Sequence, residues 1–320
     1  IFEINSEPVF NDMALEVFQL QYRKNRIYRE FCDHLGIKDS EVNSIESIPF
    51  LPIEFFKGKT ILTKRVKPEI IFTSSGTTGS VPSKHCVADL SLYRDSFSKT
   101  FELFYGPVGN YCILALLPSY LERQGSSLIY MAETLIKSSG HHESGFYLHD
   151  LENLMRKLLA LELQGTKILL LGVSFALLEM AEKYPLTLEN TIVMETGGMK
   201  GKRKELIREQ LHEELKKGFG VPEIHSEYGM TELLSQAYAQ RNGLFKTPPW
   251  MKVLTRETED PLVLHRGGET GGLCIIDLAN VHSCSFIATQ DLGRIHKDGS
   301  FEVIGRFDHS DIRGCNLMVL

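Results

Sequence analysis

The sequence predicts an α/β fold of mainly parallel sheets with flanking helices. Short runs rich in Ile, Leu and Val recur along the chain, have the length of buried strands, and are mostly bounded by turn residues. Between them lie segments whose apolar residues repeat at helical spacing, and strand–helix alternation is the pattern of a sheet wrapped by helices. A chain of 320 residues that is 42% hydrophobic is long enough to bury such a core.

In chain order, the first element is a helix over residues 11–35, where Ala14, Val17, Phe18 and Tyr22 share one face. Strands are expected over 70–73, 111–117, 167–173, 191–195 and 272–277. A helix over 151–163 and an amphipathic helix with a basic tail over 202–217 fall between them. The glycines at 267, 268, 271 and 272 mark a turn-rich stretch. Gly293-Arg294-Ile295 and Phe301-Glu302-Val303-Ile304 flank Asp298-Gly299, a strong hairpin signal. No internal repeat or low-complexity linker divides the chain. One core domain is expected over 1–304, followed by a hinge-like tail over 305–320.

Charged residues make up 24% of the chain, the net charge is −6, and no basic block stands out. That excludes a nucleic-acid surface but leaves room for a nucleotide site, which needs only local donors. None of the six cysteines forms a Cys-x-x-Cys pair, as expected of free thiols in a reducing cytoplasm. The longest apolar run, 168–178, is broken by Gly172 and Ser174 and stops at Glu179, too short to span a bilayer. No secretory signal opens the chain, and Ile1 in place of Met suggests a native start further upstream.

The most informative segment follows the strand at 70–73. Thr73-Ser74-Ser75-Gly76-Thr77-Thr78-Gly79 combines two glycines, which let backbone approach a ligand closely, with five hydroxyls. Backbone N–H groups and hydroxyls together can wrap the oxygens of a triphosphate. Lys84 and His85 follow as charge partners. The order is not that of a Walker loop, which needs Gly-Lys-Ser/Thr.

Ser75-Gly76-Thr77-Thr78-Gly79 after a strand resembles the phosphate loop of the adenylate-forming superfamily, which includes acyl-CoA synthetases. Three further stretches agree in order: Tyr228-Gly229-Met230-Thr231-Glu232, Thr289-Gln290-Asp291 and Gly305-Arg306-Phe307-Asp308. Within that superfamily, Pro118-Ser119-Tyr120-Leu121-Glu122-Arg123 and Asp311-Ile312-Arg313-Gly314-Cys315 are similar to the acyl-protein synthetase family. Phenylacetate-CoA ligases look like more distant relatives. The likeness runs from about Phe10 to the end.

The resemblance implies the large-domain fold of adenylate-forming enzymes, with the C-terminal lid absent or minimal. It implies that residues 73–79 hold ATP, that Glu232 beside Thr231 takes Mg²⁺, and that Tyr228, Gly229 and Met230 border adenine with the Gly197-Gly198 turn. Asp291 would hold the ribose hydroxyls and Arg306 ribose or phosphate. Gln290 departs from the usual glycine. Cys315 would accept the acyl group as a thioester, with Arg313 favouring its thiolate. His141, His142, His149 and His225 show no metal-ligand spacing.

The expected function is ATP-dependent activation of a fatty or other hydrophobic carboxylic acid, followed by transfer to a protein cysteine in the cytoplasm. A reductase or acyltransferase is the expected protein partner. Two rivals stand beside it: a ligase that delivers acyl to coenzyme A or a carrier protein, and an inactive nucleotide-binding subunit.

Overall fold

The computed structural model describes residues 1–74, 81–117, 125–148, 150–197, 206–265 and 268–306. The chain divides into two compact units. The first comprises Ile1–Glu69, Ser83–Asp89 and Pro249–Leu320; the second comprises Ile70–Pro82 and Leu90–Pro248.

The second unit carries the expected parallel sheet. Its strands lie in the order Gly145–Phe146, Cys112–Leu116, Ile168–Val173, Thr191–Thr196, His225–Tyr228 and Ala237–Ala239. Every neighbouring pair is parallel except the last. The Cys112–Leu116 and Ile168–Val173 strands are buried throughout. Strands covered on both faces read as continuous apolar runs, which is why they were visible as such. The long apolar run at 168–178 is two elements: the strand ends at Val173 and a helix, Ser174–Lys183, begins at once.

The helix expected over 202–217 is Arg208–Phe219 in its described part. Gly218 lies within it, and a Cβ there would come 2.5 Å from Ala181 Cβ, so the glycine sets how closely it packs on the Ser174–Lys183 helix. The Leu90–Tyr105 and Ser127–Ser139 helices were not expected from periodicity. The second is capped by Ser126, whose hydroxyl accepts from Ile129 N, and ends at Gly140 with φ of 65°.

The first unit is built on a sheet that is antiparallel apart from one short pair. Thr270–Asp277 lies between Met251–Arg256 and Phe286–Ile295. Leu51–Pro52 adds in parallel to Phe286–Ile295, and Phe301–Arg306 pairs with that same strand antiparallel. The Asp298-Gly299 hairpin forms as read, with Gly299 at φ 81°.

The expected single helix over 11–35 is two helices, Glu7–Lys24 and Arg26–His34. Asn25 breaks it because its buried side chain is used elsewhere. Its Oδ1 accepts from the N–H groups of Ile27 and Tyr28, and its Nδ2 donates to the Ser283 carbonyl. Gln21 anchors the first helix the same way, donating to the carbonyls of Asn280 and Val281 and accepting from Ser285 N.

The turn-rich reading of 267–272 holds only for Gly268, with φ of 79°, among the described positions. Gly271 and Gly272 lie inside a strand. A Cβ on Gly271 would sit 2.2 Å from the Arg256 carbonyl oxygen, and one on Gly272 would sit 2.7 Å from the Arg256 guanidinium carbon. These glycines make room for Arg256, not for a turn.

Candidate active site

The second unit gathers one set of candidate residues at the carboxyl ends of its parallel strands, where open α/β sheets place their ligands. Thr196 and Glu227 are partners in the parallel register of Thr191–Thr196 with His225–Tyr228. Beyond them the chain leaves the sheet at Gly197 and at Gly229 respectively. The glycine turn and the Tyr-Gly-Met-Thr-Glu segment are therefore neighbours. Gly197 adopts φ of 69°, which favours glycine. Its carbonyl accepts from Ser174 Oγ at 2.6 Å. That hydroxyl also lies 3.1 Å from Glu195 Oε2, and its single proton serves one acceptor at a time.

Tyr228 is buried, with its ring 5.7 Å from that of Phe245. Arg208 lies over the other aromatic neighbour, 4.9 Å from the Phe245 ring centre. Phe245 is delivered by a turn in which Asn242 and Gly243 both have positive φ, the Asn-Gly signature of a tight hairpin. Thr231 and Glu232 occupy a turn, not a helix start, and Glu232 is buried at 5% exposure. Met230 is half-buried.

Thr73 ends the Ile70–Thr73 strand, and its N–H donates to the Gly125 carbonyl at 2.8 Å. Ser74 follows. Ser75, Gly76, Thr77, Thr78 and Gly79 lie outside the described residues, as do Gly198, the segment 118–124, His149 and Cys315. His85 is wholly buried, its Nε2 lies 3.0 Å from Asn280 Oδ1, and Phe56 meets its ring edge-on.

Two carboxylates that the motifs did not single out carry the electrostatics of this strand edge. Burial pushes Glu195 up, but the hydrogen bond from His212, the charge of Arg208 and the Ser226 hydroxyl outweigh it and hold the carboxyl below its usual range. Burial raises Glu227 to about 7; Thr196 opposes the rise and the charge of Glu195 adds to it. Carboxylates on adjacent strands pushed in opposite directions make this strand end a candidate site. The signal in the sequence was a glutamate at the penultimate position of each strand, followed by Thr196 and the glycine turn in one and by Tyr228 in the other. On the same strand His225 is lowered to about 4 by burial, and its Nδ1 lies 3.1 Å from the Tyr105 hydroxyl.

The first unit holds the other set. Asp291 and Arg306 are cross-strand partners, and Arg306 Nε lies 3.3 Å from Asp291 Oδ1. Asp291 is 7% exposed, whereas the Arg306 side chain is 67% exposed. Asp291 N donates to Thr289 Oγ1, and that hydroxyl donates to the Leu273 carbonyl. Gln290, the departure from glycine, has a structural use. Its Nε2 donates to Glu54 Oε1 at 2.7 Å, and its Oε1 accepts from Arg306 Nη2 at 3.4 Å. Among the described residues, no group of three or more His, Cys, Asp or Glu is placed to hold a metal ion.

These clusters sit on the fold of the adenylate-forming ligases. An open conformation of 2-hydroxyisobutyryl-CoA ligase in complex with 2-HIB-AMP and CoA matches with a TM-score of 0.66 and 10% identity, over 95% of this chain and 70% of that one. ATP-bound MatB from Rhodopseudomonas palustris matches with a TM-score of 0.56 and 17% identity, over 74% of this chain and 47% of that one. The chain spans about half the length of the MatB structures it matches. The family model described as acyl-protein synthetase, LuxE, matches residues 2–320, and the chain belongs to that family. A long-chain-fatty-acid–luciferin-component ligase from Vibrio harveyi is 24% identical over 325 residues, covering 94% of this chain and 84% of that protein.

Proposed function

We propose that the protein activates a long-chain fatty acid with ATP and passes the acyl group to the thiol of Cys315. What supports this most is the meeting of the Gly197 turn and the Tyr228–Glu232 segment at one edge of a parallel sheet, in a chain of the acyl-protein synthetase family. ATP is the substrate. Residues 73–79 grip its phosphates, Tyr228 flanks adenine with Gly197 and Gly198, and Asp291 with Arg306 holds the ribose side. A buried carboxylate such as Glu232 suits Mg²⁺ carried in on the phosphates, since that ion takes one or two carboxylates and keeps the rest of its shell. Bound there, Mg²⁺ would neutralise phosphate charge.

An oxygen of the fatty carboxylate attacks the α-phosphorus. The bond to the β-phosphate bridge breaks, and pyrophosphate leaves. The Cys315 thiolate then attacks the acyl carbon of the mixed anhydride, AMP departs, and a thioester remains. The five described thiols, Cys32, Cys86, Cys112, Cys274 and Cys284, are all buried. Burial raises each of them, Cys32, Cys274 and Cys284 to about 12, which leaves them poor nucleophiles. Transfer onward to a reductase or acyltransferase, and a cytoplasmic setting, belong to the same reading. No described helix is long and apolar enough to cross a membrane.

The test is ATP–pyrophosphate exchange with acids from acetate to hexadecanoate. Exchange that rises with chain length is the expected result, and none with any acid would overturn the reading. A Cys315→Ser variant should keep the exchange and lose the stable thioester.

A further inference from the structure

We propose that Glu227 is a positioning residue of the nucleotide site, a latch that fastens the Tyr228-Gly229-Met230-Thr231-Glu232 segment to the end of the Thr191–Thr196 strand. This rests on the adenylation reading above.

The latch has two contacts. Thr196 Oγ1 donates to Glu227 Oε2, across paired positions of adjacent parallel strands. The other carboxyl oxygen, Oε1, lies 2.5 Å from where a Cβ on Gly229 would be. Gly229 is not among the described glycines with positive φ, so its backbone alone does not demand glycine. The first group a Cβ at 229 would meet is the Glu227 carboxyl, which would have to move off its Thr196 contact to make room. One carboxyl thus ties the strand end that precedes the Gly197 turn to the segment that leads into Glu232.

The choice of an acid here is costly. Glu227 is buried, and among the described residues no cationic side chain pairs with it. A buried carboxylate without a cation loses its hydration for little return. The groups that act on it are the Thr196 hydroxyl, the charge of Glu195 on the adjacent strand, Tyr93 and Tyr105 of the Leu90–Tyr105 helix, and Tyr238 of the edge strand. On its own strand, His225 is neutral above about pH 4. Packing alone would be served as well by an apolar side chain. A carboxyl that both accepts from Thr196 and rests on Gly229 sets the geometry of two loops at once, in a manner that depends on its protonation.

The experiment is calorimetric titration of the full chain with MgATP between about pH 5.5 and pH 8.5. Wild type, Glu227→Gln, Glu227→Ala, Gly229→Ala and Thr196→Val are compared, with melting curves to confirm folding. Losing a buried hydrogen-bonded contact should weaken ATP binding roughly tenfold in Glu227→Ala and Thr196→Val, and a methyl that displaces the carboxyl should weaken it in the same direction in Gly229→Ala. Glu227→Gln keeps the shape and an acceptor oxygen. It should bind within about threefold of wild type at low pH and lose the wild-type change in affinity near pH 7. Folded Glu227→Ala and Thr196→Val proteins that bind ATP like wild type would overturn the latch, as would an unchanged pH profile in Glu227→Gln. If Glu227→Ala fails to fold, the Gln and Val variants decide. A wild-type protein that does not bind MgATP contradicts the adenylation reading and removes the latch with it.

Discussion

Asp291 and Arg306 form an unequal pair. The carboxylate is buried on its strand and the guanidinium is mostly exposed. The exposed partner can turn toward phosphate or ribose without uncovering the core, while Asp291 stays fixed by Thr289. Asp291→Asn keeps the shape and removes the charge, so the charge-assisted part of the proposed hold on ribose would be lost. We expect KM for ATP in the exchange assay to rise about 10–100-fold with little change in melting temperature. An unchanged KM would argue against a ribose role. Glu227 makes a pH prediction of known sign. Burial raises it from 4.5 to about 7, so between those values the folded protein keeps a proton that the unfolded chain has lost. Its contribution is full below 4.5 and is lost as pH rises through about 7. Wild type should therefore lose stability relative to Glu227→Gln over that window, by on the order of 3 kcal/mol. Parallel urea-unfolding midpoints for the two proteins at about pH 5 and about pH 8 would refute it.

Elements were legible where one physical signal dominated. Strands buried on both faces announce themselves as apolar runs, and the Asp298-Gly299 hairpin announces itself by its turn residues. The break at Asn25 was hidden because helical periodicity continues through it, and only the distant Ser283 carbonyl explains why that asparagine is drawn into the core. Gly271, Gly272 and Gly293 were hidden for the same reason: their need for no side chain comes from atoms far along the chain. The Ser/Thr/Gly stretch at 73–79 and the Tyr228–Glu232 segment stand out by residue order, whereas the pairing of Glu195 with Ser226 and of Glu227 with Thr196 could be found only from strand register. A Cβ on Gly293 would lie 2.3 Å from the Glu302 carbonyl oxygen. Gly293→Ala should force apart the hairpin that carries Asp291 and Arg306, at a cost of about 1–3 kcal/mol in urea unfolding. A fully stable variant would contradict the packing described.

At the scale of the whole molecule, each of the two compact units carries its own set of candidate residues. One supplies a parallel sheet whose strand ends gather Gly197, Tyr228 and Glu232, and the other an antiparallel sheet that presents Asp291 and Arg306. Five thiols are sealed in the cores of these units, and the sixth, Cys315, lies outside the described residues. In the proposed function, acyl transfer falls to one cysteine of six. The most direct test is intact-mass and peptide mass spectrometry after incubation with MgATP and a mixture of fatty acids. A single ATP-dependent mass increase equal to one acyl group, mapping to Cys315 and removed by hydroxylamine, is the predicted result. Acylation of any other residue, or none in a protein that catalyses the exchange, would contradict it.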